Sequence, residues 1–366
     1  MARLGDICKF QSGGTPSKSN PDFFGGNIPW ITTVALNGGI INSTNAVDWI
    51  TDKAIQESAA KIVPQNSIMV GTRVGIGKVA INAVPMSTSQ DVISLLDIDT
   101  ASWDKGFLCK FIVGKNDFLL SQARGATIKG IKIDTLSNLQ VPDIPLEEQR
   151  RIAATLDKVS DLIAKRRSQL DKLDLLVKAR FGEMFGDPIL NQKGFPCYTV
   201  GDIITFQGGS QPDKKYFEYI PTDENIRLIQ IRDYKSDKFI TYIPKSMAKR
   251  FCCSDDIMIG RYGPPIFQIL QGIEGAYNVA LMKAIPQRGN KEFIRQFLKQ
   301  DCLLEYLEGL SKRTAGQDGI QMDKLKAYPF PFPPMESQKK FEFFVKRVDK
   351  SKFTIQQSLD KLETLK

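Results

Sequence analysis

An internal repeat is the feature of this sequence that most constrains its fold. Leu4–Ile7 (LGDI) recurs as Val200–Ile203 (VGDI), at an offset of 196 residues. Farther along the chain, Ile68–Gly71 recurs as Ile257–Gly260, at an offset of 189 residues. The two halves therefore differ by short insertions, which we place in loops because loops tolerate changes in length.

The similarity continues to the end of both copies at the same offset of 189 residues. Val141–Gln149 aligns with Phe330–Gln338, and Leu170–Leu173 (LDKL) returns unchanged as Leu359–Leu362. Each copy thus has a globular part rich in glycine and β-branched residues, then a proline-marked junction that leads into a long charged helix. The predicted order is globe, helix, globe, helix.

The globular parts carry the pattern of short strands. Four apolar runs of the first copy are bounded by Gly, Asn, Pro and Ser, which favour turns, and these runs are Ile28–Ile31, Ser67–Val70, Lys78–Ile81 and Val92–Leu96. We interpret each globe as an α+β domain.

A long helix is predicted at the end of each copy. After Pro145 the chain has no further proline up to Phe185, and Glu147 and Glu148 suit a helix start because acidic side chains favour the N-terminus. Apolar residues then follow the heptad spacing of a coiled-coil seam. The seam residues are Leu156, Val159, Ile163, Leu170, Leu173 and Val177 in the first copy, and Phe341, Val345, Val348, Ile355, Leu359 and Leu362 in the second.

The two seams predict that the helices pack against each other within one chain. Arg166 interrupts the first seam and Lys352 the second, and polar residues of this kind usually fix the register of paired helices. A helix of about 35 residues is roughly 50 Å long. Antiparallel packing would place the globes at opposite ends, in a single chain that imitates a symmetric dimer. A solvent-facing helix or a homodimeric coiled coil is the alternative.

The composition narrows the possible functions. The sequence contains no histidine, which excludes His-based acid–base catalysis, Ser-His and Cys-His nucleophile pairs, and Cys/His zinc sites. The formal net charge of +9 favours a polyanionic partner. The six cysteines include no C-x-x-C pair, as in reduced cytosolic proteins, and no run of about 18 apolar residues is present to span a membrane. We therefore expect a cytoplasmic protein with no membrane partner.

The repeat, the junctions and two further motifs together resemble the specificity subunits of type I restriction-modification enzymes, over essentially the whole chain. The segments that carry the resemblance are Leu4–Ile7, Ser12–Pro16, Gly71–Lys78 and Ile144–Ile152. The second junction departs from the family pattern, since Met335 replaces Leu146 and Ser337 replaces Glu148.

The resemblance implies an α+β protein in which two target recognition domains are separated by two long antiparallel helices, with an internal pseudo-twofold repeat. The implied boundaries are 1–144 and 187–333 for the recognition domains, 145–186 for the central helix and 334–366 for the distal helix. Each domain would read one half of an asymmetric site in double-stranded DNA, and the helices would fix the gap between the halves.

The resemblance also implies partners. Two modification (methyltransferase) subunits would bind the helices and junctions and bring S-adenosylmethionine, and restriction subunits would bring ATP and Mg. The chain itself would be non-catalytic, with no metal and no cofactor of its own.

Glycine-rich loops supply the first candidates for DNA contact. In Gly71–Lys78, the glycines would let the backbone approach a duplex, while Arg73 could bind guanine through two hydrogen bonds and Lys78 a phosphate. The second copy offers Arg261 at nearly the same place, with Tyr262 beside it.

Further candidates lie near the following strands and before the junctions. Gln90 and Asn278 each follow the next strand-like run, and amide side chains suit adenine edges. Gln230, Arg232 and Tyr234 alternate along a strand-like segment, so they would share one face, which either contacts DNA or is a solvated sheet surface. Glycine-broken loops before the junctions suggest phosphate binding by Arg124, Lys129 and Lys132 in the first copy and by Arg313, Gln317 and Lys324 in the second.

Two other functions fit parts of the sequence. A stand-alone structural or regulatory coiled-coil protein with protein-binding globes would explain the helices, but it would not be retained on DNA at low salt. A fused methyltransferase is disfavoured, because no glycine-rich S-adenosylmethionine loop follows a strand. Arginine and lysine on a basic protein are also often plain surface charge, so each candidate contact needs geometric support.

Overall fold

The computed structural model describes residues 1–125, 129–262, 265–311 and 319–365. The chain divides into two compact units. The first unit comprises Met1–Ile163 with the last residues of the chain from Thr364, and the second comprises Ala164–Glu363. Each unit contains both strands and helices.

The first unit contains strands and short helices that precede a long helix. Its strands are β1 (Ala2–Arg3), β2 (Lys9–Ser12), β3 (Phe24–Ile31), β4 (Ile40–Ile41), β5 (Asp48–Ile50), β6 (Ile62–Val63), β7 (Ile68–Gly71), β8 (Val79–Asn82), β9 (Met86–Thr88), β10 (Val92–Leu96) and β11 (Gln140–Val141). Its helices are α1 (Leu4–Ile7), α2 (Asp52–Glu57), α3 (Lys105–Gly114), α4 (Asn116–Ser121), α5 (Ile133–Ser137) and the start of α6 (Leu146–Phe185), with 3₁₀ helices at Pro21–Phe23, Thr33–Ala35 and Ser43–Asn45.

The strands of the first unit form two main sheets with the orders β2-β10-β7-β8-β4 and β5-β3-β9-β6, and a separate pair β1-β11. Strand β7 is buried on both faces. Its Ile68 and Val70 pack in a cluster with Leu108 of α3, whereas Met69 packs in another cluster with Ile31 of β3. This alternation places helix α3 on one face of the first sheet and the second sheet on the other.

The second unit contains a similar set of elements after the end of α6. Its strands are β12 (Cys197–Thr199), β13 (Ile204–Gly208), β14 (Asn225–Ile229), β15 (Tyr242–Pro244), β16 (Phe251–Cys252), β17 (Ile257–Gly260), β18 (Gln268–Gln271), β19 (Gly275–Tyr277), β20 (Leu281–Pro286) and β21 (Pro329–Pro331). Its helices are α7 (Val200–Ile203), α8 (Lys291–Leu298), α9 (Asp301–Ser311), α10 (Met322–Ala327) and α11 (Met335–Leu365), with 3₁₀ helices at Lys214–Tyr216, Ile231–Tyr234, Asp237–Phe239 and Lys245–Met247.

The sheets of the second unit repeat the strand order of the first, except that no strand in the described part of the second unit takes the place of β4. The sheet β13-β20-β17-β18 corresponds to β2-β10-β7-β8, β15-β14-β19-β16 corresponds to β5-β3-β9-β6, and β12-β21 corresponds to β1-β11. Even the one parallel pairing at the centre of the smaller sheet recurs, as β3 with β9 and as β14 with β19. The prediction of an internally repeated α+β fold with long helices is therefore confirmed.

In the second unit, α11 runs antiparallel to the part of α6 that belongs to the same unit. Phe181, late in α6, contacts Phe341, early in α11, with ring centroids 5.5 Å apart. Arg167, earlier in α6, forms an ion pair of 2.6 Å with Glu363 near the end of α11. The residue numbers of the contacts thus run in opposite directions, as the paired seams predicted.

A buried glutamine joins the start of α6 to the globe that precedes it. Gln149 is 1% exposed. Its Nε2 donates to the carbonyl oxygens of Ser102 (3.0 Å) and Ile144 (2.9 Å), and its Oε1 accepts from the backbone N–H of Asp104 (2.9 Å). Each of these polar groups has a hydrogen-bond partner. Burial of the amide therefore does not incur the free-energy cost of an unsatisfied donor or acceptor.

The second unit repeats this junction with a glutamine at the equivalent position. Gln338 is fully buried; its Oε1 accepts from the backbone N–H of Asn290 (2.8 Å), and its Nε2 donates to the carbonyl oxygen of Pro333 (2.7 Å). Asp104 and Asn290 in turn cap the N-termini of α3 and α8. In both units, one amide therefore fixes the long helix against a capped helix of the globe.

One predicted strand is a 3₁₀ helix. The sequence pattern placed Gln230, Arg232 and Tyr234 on one strand face, but β14 ends just before them and Ile231–Tyr234 form a 3₁₀ turn. The Asp233 carboxylate accepts a hydrogen bond from the N–H of Gln230 (3.2 Å), which closes the turn. The prediction of a shared strand face is therefore wrong.

Candidate nucleic-acid interface

The loop between β7 and β8 carries two of the predicted DNA contacts, Arg73 and Lys78. The loop closes through a hydrogen bond of 2.8 Å from the N–H of Gly71 to the carbonyl oxygen of Lys78. Gly75 and Gly77 have φ angles of +72° and +77°, which glycine adopts without strain. The glycines therefore permit a tight turn that leaves the side chains of Arg73 and Lys78 exposed.

Arg73 has a carboxylate neighbour that the sequence analysis did not identify. Its Nη1 lies 3.5 Å from Oδ1 of Asp91, with the Arg73 side chain 49% exposed and that of Asp91 29% exposed. The carbonyl oxygen of Asp91 accepts hydrogen bonds from the N–H (2.8 Å) and the hydroxyl (3.1 Å) of Thr72. Asp91 is thus held beside the loop through its backbone, and its carboxylate faces the arginine.

The loop before the first junction, which contains Arg124 and Gly130, contacts the loop that carries Arg73. Arg124 and Gly130 exchange two backbone hydrogen bonds of 2.9 Å, and the N–H of Ile131 donates to the carbonyl oxygen of Thr72 (2.8 Å). Gly130 lies directly against Arg73, because a Cβ at Gly130 would be 2.9 Å from Cγ of the arginine. The absence of a side chain at Gly130 therefore lets the two loops meet.

Arg73, Arg124 and Lys132 line one open cavity of the first unit. The cavity has a volume of about 580 Å³. Its other lining residues are Gln122, Gly130, Ile131 and Thr135. None of these described lining residues is a carboxylate, and three converging cations favour an anion such as a phosphate. Lys78 and Lys129 are exposed but do not line the cavity.

In the second unit, Tyr262 occupies the position that Arg73 has in the first. Tyr262 pairs with Gly319 in an isolated β-bridge, and a Cβ at Gly319 would lie 3.5 Å from the tyrosine ring. Gly130 and Gly319 are equivalent in the repeat, so the same glycine supports an arginine in one unit and a tyrosine in the other. Tyr262 is 48% exposed.

Arg261 lies one residue before the position that is equivalent to Arg73, close to the place predicted for it. Its N–H donates to the carbonyl oxygen of Ala280 (2.9 Å), as the N–H of Thr72 does to that of Asp91 (2.8 Å). Arg261 therefore corresponds to Thr72. Its guanidinium lies 5.3 Å from the ring centroid of Tyr262, close enough for a cation–π contact.

The two amide candidates differ in exposure. Gln90 lies in the turn after β9, and its side chain is exposed. Asn278 follows β19, but it is 6% exposed; its Nδ2 donates to Oε1 of Gln211 (3.3 Å), and its Oδ1 accepts from the N–H of Ala280 (3.1 Å). Asn278 thus uses its amide within the unit, whereas Gln90 presents its amide to solvent.

Arg232 and Tyr234 also lie in different surroundings. Arg232 is exposed, and its Nη2 donates to the hydroxyl of Thr241 (3.1 Å). Tyr234 packs against a buried apolar cluster that includes Ile229, and burial raises the pKa of its hydroxyl above the usual range. Of the two residues, Arg232 is the one that a ligand can reach without rearrangement.

The loop before the second junction is described only in part. Arg313 and Gln317 lie outside the described residues. Lys324 is exposed on α10, at the position that Thr135 has in the first unit.

The predicted seam residues are all at least partly buried. The buried ones are Ile163, Val177, Phe341, Val345, Val348 and Leu359, and the partly buried ones are Leu156, Val159, Leu170, Leu173, Ile355 and Leu362. Lys352, which interrupts the second seam, forms an ion pair with Asp174 of α6.

The sequence matches the family described as type I restriction modification DNA specificity domain, over residues 1–173 and again over residues 192–364. The chain belongs to this family. The resemblance drawn from the repeat and the junctions is thereby confirmed.

Named relatives are specificity subunits. The type I restriction enzyme MjaIX specificity subunit of Methanocaldococcus jannaschii is 29% identical over 60% of this chain and 55% of its own length, so the chain spans about half of that relative. The MjaVIII specificity subunit of the same organism is 24% identical over 95% of this chain and 85% of its own. The crystal structure of the type I restriction-modification system S subunit from M. genitalium is 17% identical and covers all of this chain and 92% of its own, with a TM-score of 0.56. That likeness shows a shared fold.

The described residues form neither a membrane span nor a metal-binding cluster. No helix in the described parts of the chain is long and apolar enough to cross a bilayer. Among the same residues, no group of three or more Cys, Asp or Glu side chains could hold a metal ion. All six cysteines are free thiols.

Proposed function

We propose that this chain is the DNA-sequence specificity subunit of a type I restriction-modification enzyme. The observation that carries the proposal is the convergence of Arg73, Arg124 and Lys132, from two loops, on one cavity of a unit whose fold is repeated. Cations of this kind supply the phosphate contacts that position a protein on DNA, and arginine also reads guanine. The different side chains at the equivalent place in the second unit suit a second, different sequence.

In this proposal each globe reads one half of an asymmetric bipartite site in double-stranded DNA. The recognition domains are residues 1–144 and 187–333, and the helices at 145–186 and 334–366 set the gap between the halves. Arg73, Gln90, Arg232, Arg261 and Tyr262 are the candidates for base contact, because their side chains reach the surface of their units. Phosphate contact is assigned to Lys78, Arg124, Lys129, Lys132, Arg313, Gln317 and Lys324.

The proposed partners supply the chemistry. Two modification subunits with S-adenosylmethionine bind the helices and junctions, and restriction subunits add ATP and Mg. The chain is non-catalytic and acts in the cytoplasm by placing the modification subunits on a chosen sequence. Its family and the names of its relatives support this assignment and do not favour the stand-alone coiled-coil alternative.

Mapping methylated adenines strand by strand in the host genome, with and without this gene, tests the proposal. We expect methylation at two short sequences separated by a fixed gap, and its loss when the gene is deleted. A tagged chain should also capture modification subunits, and the resulting complex should bind the mapped site. An unchanged methylation map together with no capture of modification subunits would overturn the proposal.

A further inference from the structure

We propose that Asp91 is a positioning residue, which orients the guanidinium of Arg73 so that the first unit recognises a G·C pair in its half of the DNA site. This inference rests on the proposed function. Asp91 was not among the contacts expected from the sequence, and its role would be exerted through Arg73 and not through direct contact with the phosphates.

The geometry restrains Arg73 from several directions. Asp91 lies beside Nη1 at 3.5 Å, and Gly130 lies beside Cγ. Thr72, the preceding residue, is bonded through its N–H to Asp91 and through its carbonyl oxygen to Ile131. The stem of the arginine therefore leaves a backbone that is held on two sides, and its charged end meets a carboxylate.

The charged end of Arg73 keeps donors for a ligand. A guanidinium has five N–H donors, and the contact with Asp91 involves Nη1. The Nε and Nη2 donors form no hydrogen bond with any residue in the described parts of the chain. Such an arginine is half exposed and partly oriented before it binds, so less side-chain entropy is lost when it forms two hydrogen bonds to O6 and N7 of guanine.

The repeat supplies an internal comparison for the role of the carboxylate. In the second unit, Tyr262 stands at the position of Arg73 and Ala280 at the position of Asp91. The backbone hydrogen bond to residue 280 forms at 2.9 Å without any carboxylate at that position. The turn itself therefore does not require an acidic side chain, and the carboxylate is present in the unit that has the arginine.

The electrostatics of the cavity favour the same role. Asp91 does not line the cavity, but its carboxylate lies 3.5 Å from Nη1 of Arg73, which lines the cavity together with Arg124 and Lys132. A carboxylate there repels DNA phosphates, so it opposes a phosphate contact by Arg73 and favours the base edge as the ligand of its free donors. Removal of Asp91 should consequently release Arg73 toward the phosphate backbone.

The test compares Asp91→Ala, which introduces the residue of the second unit, with a matched control. Asp22→Ala also removes an exposed carboxylate of the first unit, one that pairs with Lys53 at 2.7 Å and does not line the cavity. Each chain is assembled with the modification subunits of its host. Binding is then measured on duplexes in which every base pair of the mapped site is changed singly, and on an unrelated duplex.

We expect Asp91→Ala to lower the preference for G·C at one position of the first half-site by about tenfold. The second half-site should be read as before, and the unrelated duplex should be bound no more weakly, because the variant removes a negative charge beside Arg73. If Asp91 had a purely structural role, its removal would weaken binding to the mapped-site duplex and to the unrelated duplex alike. Asp22→Ala should leave the preferences unchanged.

The outcomes separate this inference from the proposed function. If the assembled wild-type complex shows no base preference at all, the proposed function itself fails. If it reads two half-sites but Asp91→Ala alters neither, alters both equally, or behaves as Asp22→Ala does, the positioning role is wrong. Should Asp91→Ala fold poorly, Asp91→Glu keeps the carboxylate and should preserve more of the G·C preference than Asp91→Asn; equal behaviour of those two variants would also overturn the role.

Discussion

The two units share a framework and differ at the surface that the framework supports. The order of the equivalent strands, the parallel pairing in the smaller sheet and the buried glutamine of the junction are the same in both. At the position beside the turn that both units share, however, the first unit has Arg73 with Asp91, and the second has Tyr262 with Ala280. The difference teaches that the residues that build the fold and the residues that face a ligand are separate sets, so one set can change while the other is kept.

The junction glutamines should show the largest effects on stability. Gln149→Ala leaves two carbonyl oxygens and one N–H without their partner, and Gln338→Ala leaves one of each. We expect losses in the free energy of unfolding of about 3 kcal/mol and about 2 kcal/mol, measured by urea denaturation. Gln169→Ala, at an exposed glutamine of α6, should change stability by less than about 0.5 kcal/mol. A loss in the free energy of unfolding below about 1 kcal/mol at either junction would show that the two glutamines do not stabilise their junctions in the same way.

The residues at the equivalent positions of the two units should each affect a different half-site. Arg73→Ala removes the proposed guanine contact, so discrimination at one position of the first half-site should fall by about tenfold while the second half-site is unaffected. Tyr262→Ala should weaken recognition of the second half-site alone. Dissociation constants of the assembled complex on singly substituted duplexes measure both effects. Equal loss of discrimination at both half-sites for either variant would contradict the assignment of one half-site to each unit.

The glycines that support these residues should tolerate alanine unequally. At Gly130 a Cβ would be 2.9 Å from Cγ of Arg73 and 3.2 Å from the carbonyl oxygen of Thr72, whereas at Gly319 it would be 3.5 Å from the ring of Tyr262, an ordinary contact. Gly130→Ala should therefore cost about 1–2 kcal/mol of stability and displace Arg73, while Gly319→Ala should cost less than about 0.5 kcal/mol. Thermal unfolding and DNA binding of both variants check this, and similar behaviour would refute the assigned packing.

The helix caps of the two units should show the smallest difference. Asp104→Ala removes the cap of α3, and Asn290→Ala removes that of α8, each at a cost of about 1 kcal/mol. The Asn290 variant should lose slightly more, because Nδ2 of Asn290 also donates to Glu342 at 2.7 Å. Denaturation midpoints of the pair measure the difference. A larger loss for Asp104→Ala would reverse the expected order.

Much of the framework could be predicted from the sequence. The run Val92–Leu96 is strand β10, and Ile28–Ile31 is the end of β3, because alternating or continuous apolar residues between turn formers specify buried strands. The long helices were predicted from their proline-marked starts and heptad spacing. The repeat offset then assigned equivalent positions to both units without knowledge of either structure.

The local sequence pattern did not predict the structure where a side chain hydrogen-bonds to the backbone in place of a strand partner. Nor did it predict contacts between residues that are distant in sequence. Ile231–Tyr234 reads as a strand, but the Asp233 carboxylate closes a turn there. Asp91 is separated from Arg73 by strands β8 and β9, so only the pairing of β7 with β10, which sets Val92 opposite Gly71, brings the two together. The repeat alone shows that Tyr262 is equivalent to Arg73. That Ala280 replaces a carboxylate which contacts the arginine becomes visible only once the contact between Asp91 and Arg73 is known.

The amide of Gln149 has a mechanical consequence for the first unit. It holds the carbonyl oxygen of Ile144 just before α6 and, at the same time, the backbone of Ser102 and Asp104 in front of α3. Three hydrogen bonds from one side chain restrain the rotation and sliding of the start of the helix against the globe. Torque that a bound duplex exerts on this globe would therefore pass through these hydrogen bonds into α6. Rotation of the globe about the duplex would turn the start of α6 with it.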